Sequence, residues 1–173
     1  MSGFELLAIV VFFLLGYWLV DLLWPKIKAA GSGTDRVSVR VARRFEQPPE
    51  RVFDAWLDPK SAGKWLFATP AGQMVRVEID PRASGKFVFV DRREGEDIEH
   101  TGEYLELDRP RRLVFTFVVP KFSNESTRIA IDIAPSETGC ELMLIHEDVL
   151  PEYASRTEAG WNGILEALAA ALQ

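Results

Sequence analysis

An apolar stripe near the carboxyl terminus constrains the fold of this chain more than any other feature. Residues 160–172 place large apolar side chains at three- and four-residue spacing, and their alanine and leucine content favours a helix. The stripe consists of Trp161, Ile164, Leu165, Leu168 and Leu172. Residues 74–148 supply almost only alternating strands, whose apolar faces also need cover. The sequence therefore predicts a sheet that curls around the terminal helix.

The remaining pattern predicts seven strands and two short helices. A strand begins at Val37 and ends near Phe45, where alternation gives way to a proline pair that favours the first turn of a helix. A second short helix follows Asp58. Six further strands lie in residues 74–148, joined by short connections that suit antiparallel neighbours. The first of these six is expected to bury one face, made of Val75, Val77 and Ile79.

An apolar segment at residues 4–24 precedes this domain and has the length of a membrane-spanning helix. As a helix it would extend about 31 Å, close to the hydrocarbon thickness of a bilayer. A cleaved signal peptide is disfavoured because no basic residue precedes the apolar run and no clear cleavage site follows it. A buried or oligomerising helix is the alternative. Since Lys26, Lys28 and Arg36 follow the segment, the prediction is a single-pass membrane protein with a cytoplasmic carboxyl-terminal domain.

Composition divides the chain into a membrane-anchor helix at residues 1–28, a Gly/Ser linker at 29–35 and one globular domain at 36–173. The linker sequence AAGSGT has a flexible composition, which is also typical of an engineered junction. The net charge is −6, and because the charges of the first segment cancel, the excess belongs to the domain. An acidic domain repels polynucleotides, so we expect no nucleic-acid partner. The single cysteine, Cys140, excludes an intrachain disulfide and a cysteine-based zinc site.

Four segments of the domain resemble the Activator of Hsp90 ATPase homologue 1-like (AHSA1-like) branch of the START-related helix-grip superfamily. They read RVARRFEQPPERVFDAWLDPKSAGKWL, VEIDPRASGKFVF, HTGEYLELDRPRRLVFTF and GWNGILEALAAAL. The resemblance covers about residues 37–172 and implies an α+β helix-grip fold. In that fold a seven-stranded antiparallel sheet wraps around the terminal helix and encloses a hydrophobic cavity. The apolar amino-terminal segment departs from the family, and the separate domain through which the eukaryotic co-chaperone engages its chaperone is missing.

The two histidines are the first candidates for chemistry. His100 and His146, with acids nearby, could in principle bind a metal or relay a proton. Adjacent strand residues point to opposite faces, however, so Glu147 cannot join His146, and no third ligand has a recognisable spacing. A structural, hydrogen-bonded role is therefore favoured for both, with no metal and no cofactor. Cys140 has no basic neighbour and the common catalytic motifs are missing, so we expect a protein that is not an enzyme.

The aromatic residues give a better indication of function. Ordinary core packing is the simpler explanation for any one of them. Together, the aromatic residues suit an apolar cavity that binds a hydrophobic small molecule or lipid, with a few polar side chains such as Tyr104, His100 and Arg82. The alternatives are a chaperone-linked adaptor acting through its acidic surface and sheet edge, and an enzyme acting inside the cavity. The candidate cavity residues are Phe53, Trp56, Trp65, Val77, Phe87, Phe89, His100, Tyr104, Phe117, Trp161 and Leu165.

Overall fold

The computed structural model describes residues 35–173, so the predicted membrane segment and most of the linker lie outside the described residues. Within residues 35–173, no helix combines the length and apolarity needed to cross a membrane. The described chain forms, in order, β1 (Val37–Phe45), α1 (Pro49–Ala55), α2 (Pro59–Ala62), β2 (Gln73–Ile79), β3 (Lys86–Arg93), β4 (Glu96–Asp108), β5 (Arg112–Val119), β6 (Ser123–Ser136), β7 (Gly139–Val149), a short 3-10 turn (Pro151–Tyr153) and α3 (Ala154–Ala171). This order confirms the predicted α+β helix-grip fold.

The strands form one antiparallel sheet in the order β1-β7-β6-β5-β4-β3-β2. Strands β2 to β7 follow one another as a meander, and β1 pairs with β7, so α1 and α2 carry the chain from one sheet edge to the other. The connection between β3 and β4 is a tight turn of two residues. Glu94 and Gly95 both have positive φ angles, of 49° and 84°, as a two-residue turn matched to the strand twist requires.

Helix α3 buries the stripe predicted from the sequence. Trp161 is 4 % exposed and Leu165 is 1 % exposed, and Leu168 and Leu172 are also buried. The helix begins at Ala154, earlier than the apolar pattern indicated. Its first turns carry no large apolar side chain, so their sequence has no stripe to mark them. The terminal helix therefore lies against the sheet through the predicted face, with β1 among its contacts.

Strand β2 differs from the predicted alternation. Its pairing with β3 shifts register between Met74 and Arg76, as at a β-bulge. Because a bulge displaces the alternation of the side chains, Val75 is 39 % exposed while Met74 packs partly against the core. Val77 and Ile79 are half-buried as expected. The prediction that Val75 shares their buried face is wrong, because a bulge sets the register and nothing in the residue pattern indicates that bulge.

A glycine on β4 gives an aromatic side chain room on the sheet face. Gly102 pairs with Phe87, and a Cβ atom on Gly102 would lie 2.5 Å from the Phe87 ring and 1.9 Å from the carbonyl oxygen of Thr116. Only a residue without a side chain fits there. The Phe87 ring consequently lies close over β4 and contributes to the interior described next.

Candidate functional site

The residues predicted to line the cavity do come together in the interior between the sheet and the helices. All are buried except Val77 and Phe117, which are half-buried, and the apolar ones pack in or against one hydrophobic core. Arg82 does not belong there. It lies on the surface, where its Nε is 2.9 Å from a carboxylate oxygen of Asp80. The prediction of Arg82 as a polar point of the cavity is wrong because the turn after β2 directs it into solvent.

The interior space is filled almost entirely by side chains. Within the described residues it contains a void of about 10 Å³, which is room for roughly one water molecule. The pocket expected from the sequence is therefore not open in this conformation. A hydrophobic molecule can enter only if a side chain that now fills the interior moves. The void is lined by Trp56, Leu66, Phe67, Phe87, Phe89, Tyr104, Leu113 and Phe115.

Phe67 fills the centre of this interior, and sequence reasoning missed it. Its ring lies parallel to the His100 ring, with 4.7 Å between centroids and an interplanar angle of 3°. It also stacks at 5.2 Å on Phe117, with an angle of 21°. Phe89 and Trp161 meet it edge-on at 5.5 Å and 6.1 Å. A single aromatic residue between a short helix and a loop has no periodicity that could reveal this position.

The backbone at Phe67 has a conformation that a bulky residue rarely adopts. Its φ angle is 59°, which costs about 1–3 kcal/mol and persists only because the surroundings enforce it. Three side chains hold the loop in place. Arg93 donates from Nη2 to the Phe67 carbonyl at 3.4 Å and from Nε to Asp91 Oδ2 at 2.7 Å. Thr69 Oγ1 donates to the same Asp91 oxygen at 2.7 Å. We call Asp91, Thr69 and Arg93 the loop latch.

The loop latch is built around a buried charge. Asp91 is 0 % exposed, and its ion pair with the half-buried Arg93 offsets part of the cost of burying the carboxylate. Gly72 lets the loop approach, because a Cβ atom there would lie 2.3 Å from Asp91 Oδ1 and 2.3 Å from Thr69 Oγ1. The loop between α2 and β2 is thus pressed against one fixed carboxylate on β3.

Four buried side-chain polar atoms make no hydrogen bond within residues 35–173: Nε1 of Trp56, Nε1 of Trp65, Nδ1 of His100 and Oδ1 of Asp91. Most buried polar atoms in native proteins have a partner, so each of these needs an explanation. The two indole rings meet edge-to-face, 4.8 Å apart, and Trp56 lines the void. An otherwise apolar interior therefore offers polar atoms with which a bound molecule could pair.

His146 has a fully determined structural role. Trp161 Nε1 donates to its Nδ1 at 3.0 Å. Its other nitrogen lies 2.8 Å from Thr127 Oγ1, whose hydroxyl donates to the carbonyl of Phe117 at 3.1 Å. His146 is therefore neutral with its proton on Nε2. Burial lowers its pKa to about 4, and the Asp148 charge only partly opposes this. The predicted hydrogen-bonded role agrees with these contacts, which connect α3 to the sheet.

His100 agrees with that prediction in part, because hydrogen bonds with the backbone of Phe89 and Ile98 contribute to its pKa. Its Nδ1 has no hydrogen-bond partner in the described chain, and its ring is held by stacking on Phe67. Burial, followed by the nearby charge of Arg93, lowers the pKa of His100 to about 4. Backbone interactions with Phe89 and Ile98 and the charge of Asp91 act in the opposite direction. His100 is therefore neutral near pH 7, with one buried ring nitrogen unpaired.

Tyr104 and Cys140, which also belong to the core, are neutral as well. Burial raises the pKa of the Tyr104 hydroxyl well above its usual value. Burial, and then the charge of Glu50, raises the pKa of the Cys140 thiol. Among residues 35–173, no three histidine, cysteine or acidic side chains converge as metal ligands would. A charged group would be poorly solvated in these surroundings.

Comparison with solved structures places this geometry among known folds. A protein from Chromobacterium violaceum is 28% identical with a TM-score of 0.71, over 78% of this chain and 96% of that chain. The AHSA1-like protein from Aeromonas hydrophila is 21% identical with a TM-score of 0.67, over 79% and 92% of the two chains. CalU16 from Micromonospora echinospora is 19% identical with a TM-score of 0.60, over 82% and 87%. The last two establish the fold alone.

Sequence comparison identifies the family. No similar protein is found among curated sequences. Residues 46–173 match the family described as Activator of Hsp90 ATPase homolog 1-like protein. That match includes α1, α2, six of the seven strands and the whole of α3. Since it covers well over half of the sequence, and the sheet wraps the terminal helix as the resemblance implied, the chain belongs to the Activator of Hsp90 ATPase homolog 1-like family.

Proposed function

We propose that this protein binds a hydrophobic small molecule or lipid between its sheet and α3, without converting it chemically. Helix-grip domains of this kind commonly bind hydrophobic ligands. The observation that carries the proposal is the set of unpaired polar atoms, on Trp56, Trp65 and His100, inside an otherwise apolar interior. A core that served only stability would gain by pairing these atoms or replacing them. A ligand with a polar atom among apolar ones gives them partners.

Binding of this kind requires the interior to open. The strands that form the floor are held by paired neighbours, and α3 is attached to the sheet through Trp161 and His146. The loop at residues 67–72 contains neither helix nor strand and lies over the interior. The loop can therefore move while the sheet and α3 remain in place, and this supports ligand entry beneath it.

Two features support binding over catalysis. Both ring nitrogens of His146 are engaged in hydrogen bonds that connect α3 to the sheet, so neither is available to a substrate. Cys140 is buried with a raised pKa, so its thiol is protonated and poorly nucleophilic. An enzyme acting inside the cavity would need convergent reactive groups that these residues do not provide.

We further propose that residues 4–24 anchor the domain to a membrane with residues 36–173 in the cytoplasm. An anchor would keep a lipid-binding domain at high effective concentration beside its ligand source. Alkaline carbonate extraction of cell membranes tests this proposal. The full chain should stay in the pellet, and a version lacking residues 1–28 should be released. A full chain that is monodisperse in solution without detergent would exclude the anchor.

The family description favours a second candidate, an adaptor that works with a chaperone through its surface. The two functions depend on different residues. Capture of a chaperone that is lost on charge reversal of an exposed acid such as Glu137, yet kept in Trp161→Ala, would favour the adaptor. Loss of a bound apolar molecule in Trp161→Ala, with chaperone capture absent throughout, would favour ligand binding.

Native mass spectrometry of the purified full chain, followed by organic extraction, tests the main proposal. We expect a co-purified apolar molecule, and less of it in Trp161→Ala, because Trp161 contacts the ring of Phe67 and holds His146. Leu172→Ala is the matched control, since it shortens a buried side chain of the same stripe. Equal retention in both variants, or no apolar molecule in any preparation, would contradict the proposal.

A further inference from the structure

We propose that Phe67 is an internal plug: its ring occupies the place of a flat ring in the bound molecule, and the loop latch controls how readily the plug leaves. This inference rests on the proposed function and adds to it the shape of the ligand and the route of entry. It follows from the surroundings of one side chain, from its strained backbone and from the contacts that hold its loop.

The surroundings of Phe67 form a slot for a flat ring. His100 and Phe117 both lie under the same side of the Phe67 ring, at 4.7 Å and 5.2 Å, because their own ring centroids are only 6.1 Å apart. Phe89 and Trp161 make T-shaped contacts with the same ring. Stacking at these separations favours an unsaturated ring over a flexible alkyl chain, which has no face to present.

Phe67 is the member of this group that can leave. His100, Phe117 and Phe89 belong to strands with a neighbour on each side, and Trp161 belongs to α3 and donates a hydrogen bond to His146. Phe67 belongs to no helix or strand. Its positive φ angle also means that departure from the slot relieves backbone strain. Ejecting this ring therefore leaves the sheet pairing and the attachment of α3 intact.

The loop latch opposes that departure. Thr69 and Arg93 both donate to one oxygen of Asp91, and Arg93 also reaches the Phe67 carbonyl. The Thr69 hydroxyl joins the loop to β3 without being part of the slot. Removing the Thr69 hydroxyl should raise the population of the open loop without changing any residue of the plug or the slot. Apparent affinity rises in proportion to that population as long as the open state is the minor one.

Calorimetric titration of the full chain in lipid nanodiscs, with empty nanodiscs subtracted, tests the plug with two probes. These are 2-naphthol, which is flat and aromatic, and 1-decanol, which has the same number of carbons and one hydroxyl group but no ring. We expect wild type to prefer 2-naphthol. Thr69→Val should bind it about tenfold more tightly, because a hydrogen bond to a charged group contributes roughly that factor. Phe67→Ala should also bind 2-naphthol more tightly than wild type.

Two matched controls separate the plug from general loosening. Phe45→Ala removes an identical buried ring from the same core, away from the slot, and Thr116→Val removes a hydroxyl bonded to the backbone of Glu103. Both should bind 2-naphthol as wild type does. A gain in Phe45→Ala equal to that in Phe67→Ala, or no gain in Thr69→Val, would overturn the plug. Equal binding of both probes would overturn the flat-ring preference but leave the proposed function standing, and no binding of either probe would overturn the plug, whereas the proposed function fails only if no apolar molecule co-purifies.

Discussion

Acidification between pH 7.5 and pH 5 should destabilise this protein through its two histidines. His100 and His146 each have a pKa lowered to about 4, against 6.5 for an exposed histidine. A histidine that is neutral when folded binds fewer protons than the unfolded chain between these two values. The stabilisation is therefore complete above the unfolded pKa, declines as the pH falls below it, and is lost once the pH falls through the folded pKa.

The size of the effect follows from the same values. For each histidine, the linkage relation gives a loss of about 2 kcal/mol at pH 5, and up to about 3 kcal/mol once the folded form is also protonated. The two together would remove about 4 kcal/mol by pH 5, a large part of the stability of an ordinary domain. The aspartates with lowered pKa values do not obscure this range. The pKa values of Asp54, Asp97 and Asp108 are lowered by hydrogen bonds from Arg109, Arg92 and Arg111, so they titrate at lower pH.

Urea unfolding monitored by circular dichroism at several pH values from 7.5 to 5 measures this dependence. His146→Gln should be less stable than wild type at pH 7.5, because it loses an optimal bridge between Trp161 and Thr127, yet its pH dependence should be about half as steep. His100→Gln should reduce the slope by a similar amount, and the double variant should be nearly flat. A wild-type slope preserved in both single variants would refute the assignment of the acid sensitivity to these rings.

Three further predictions concern backbone positions. Phe67→Gly should be more stable than Phe67→Ala by about 1 kcal/mol in urea unfolding, because only glycine adopts the φ angle of 59° without strain. Alanine is usually the more stabilising of the two residues, and finding that order here would contradict the strain at Phe67. Gly160→Ala and Gly163→Ala should each stabilise α3 by about 0.5–1 kcal/mol in thermal melts, since an added Cβ meets nothing within 4 Å; a loss of stability would indicate a contact absent from this conformation. Gly102→Ala should lower the free energy of unfolding by roughly 3 kcal/mol or more, or prevent folding, because its Cβ would collide with the Thr116 carbonyl oxygen. Normal soluble expression with an unchanged urea midpoint would contradict that close approach.

The fold could be predicted from the sequence because periodicity reports burial directly. The stripe through Trp161 and Leu165, and the alternation through Ile129 and Ile131, each record which face of an element meets the core. Periodicity fails where an element departs from its ideal repeat. The bulge beside Val75 changed the exposed face without changing the composition, and the first turns of α3 carried no stripe.

The sequence predicted which strand residues face the interior of the site, but not which residue fills it. Alternation placed Phe87, Phe89 and His100 on the inner face, yet whether they enclose a space depends on what enters from elsewhere in the chain. Phe67 enters from a loop, at a φ angle that local preference disfavours, and it stays because Asp91 on a distant strand holds that loop. Such a position is determined by tertiary contacts that oppose the local preference of the residue. That conflict distinguishes Phe67 from the rings around it, because none of His100, Phe117, Phe89 and Trp161 has a positive φ angle whose strain would be relieved by leaving.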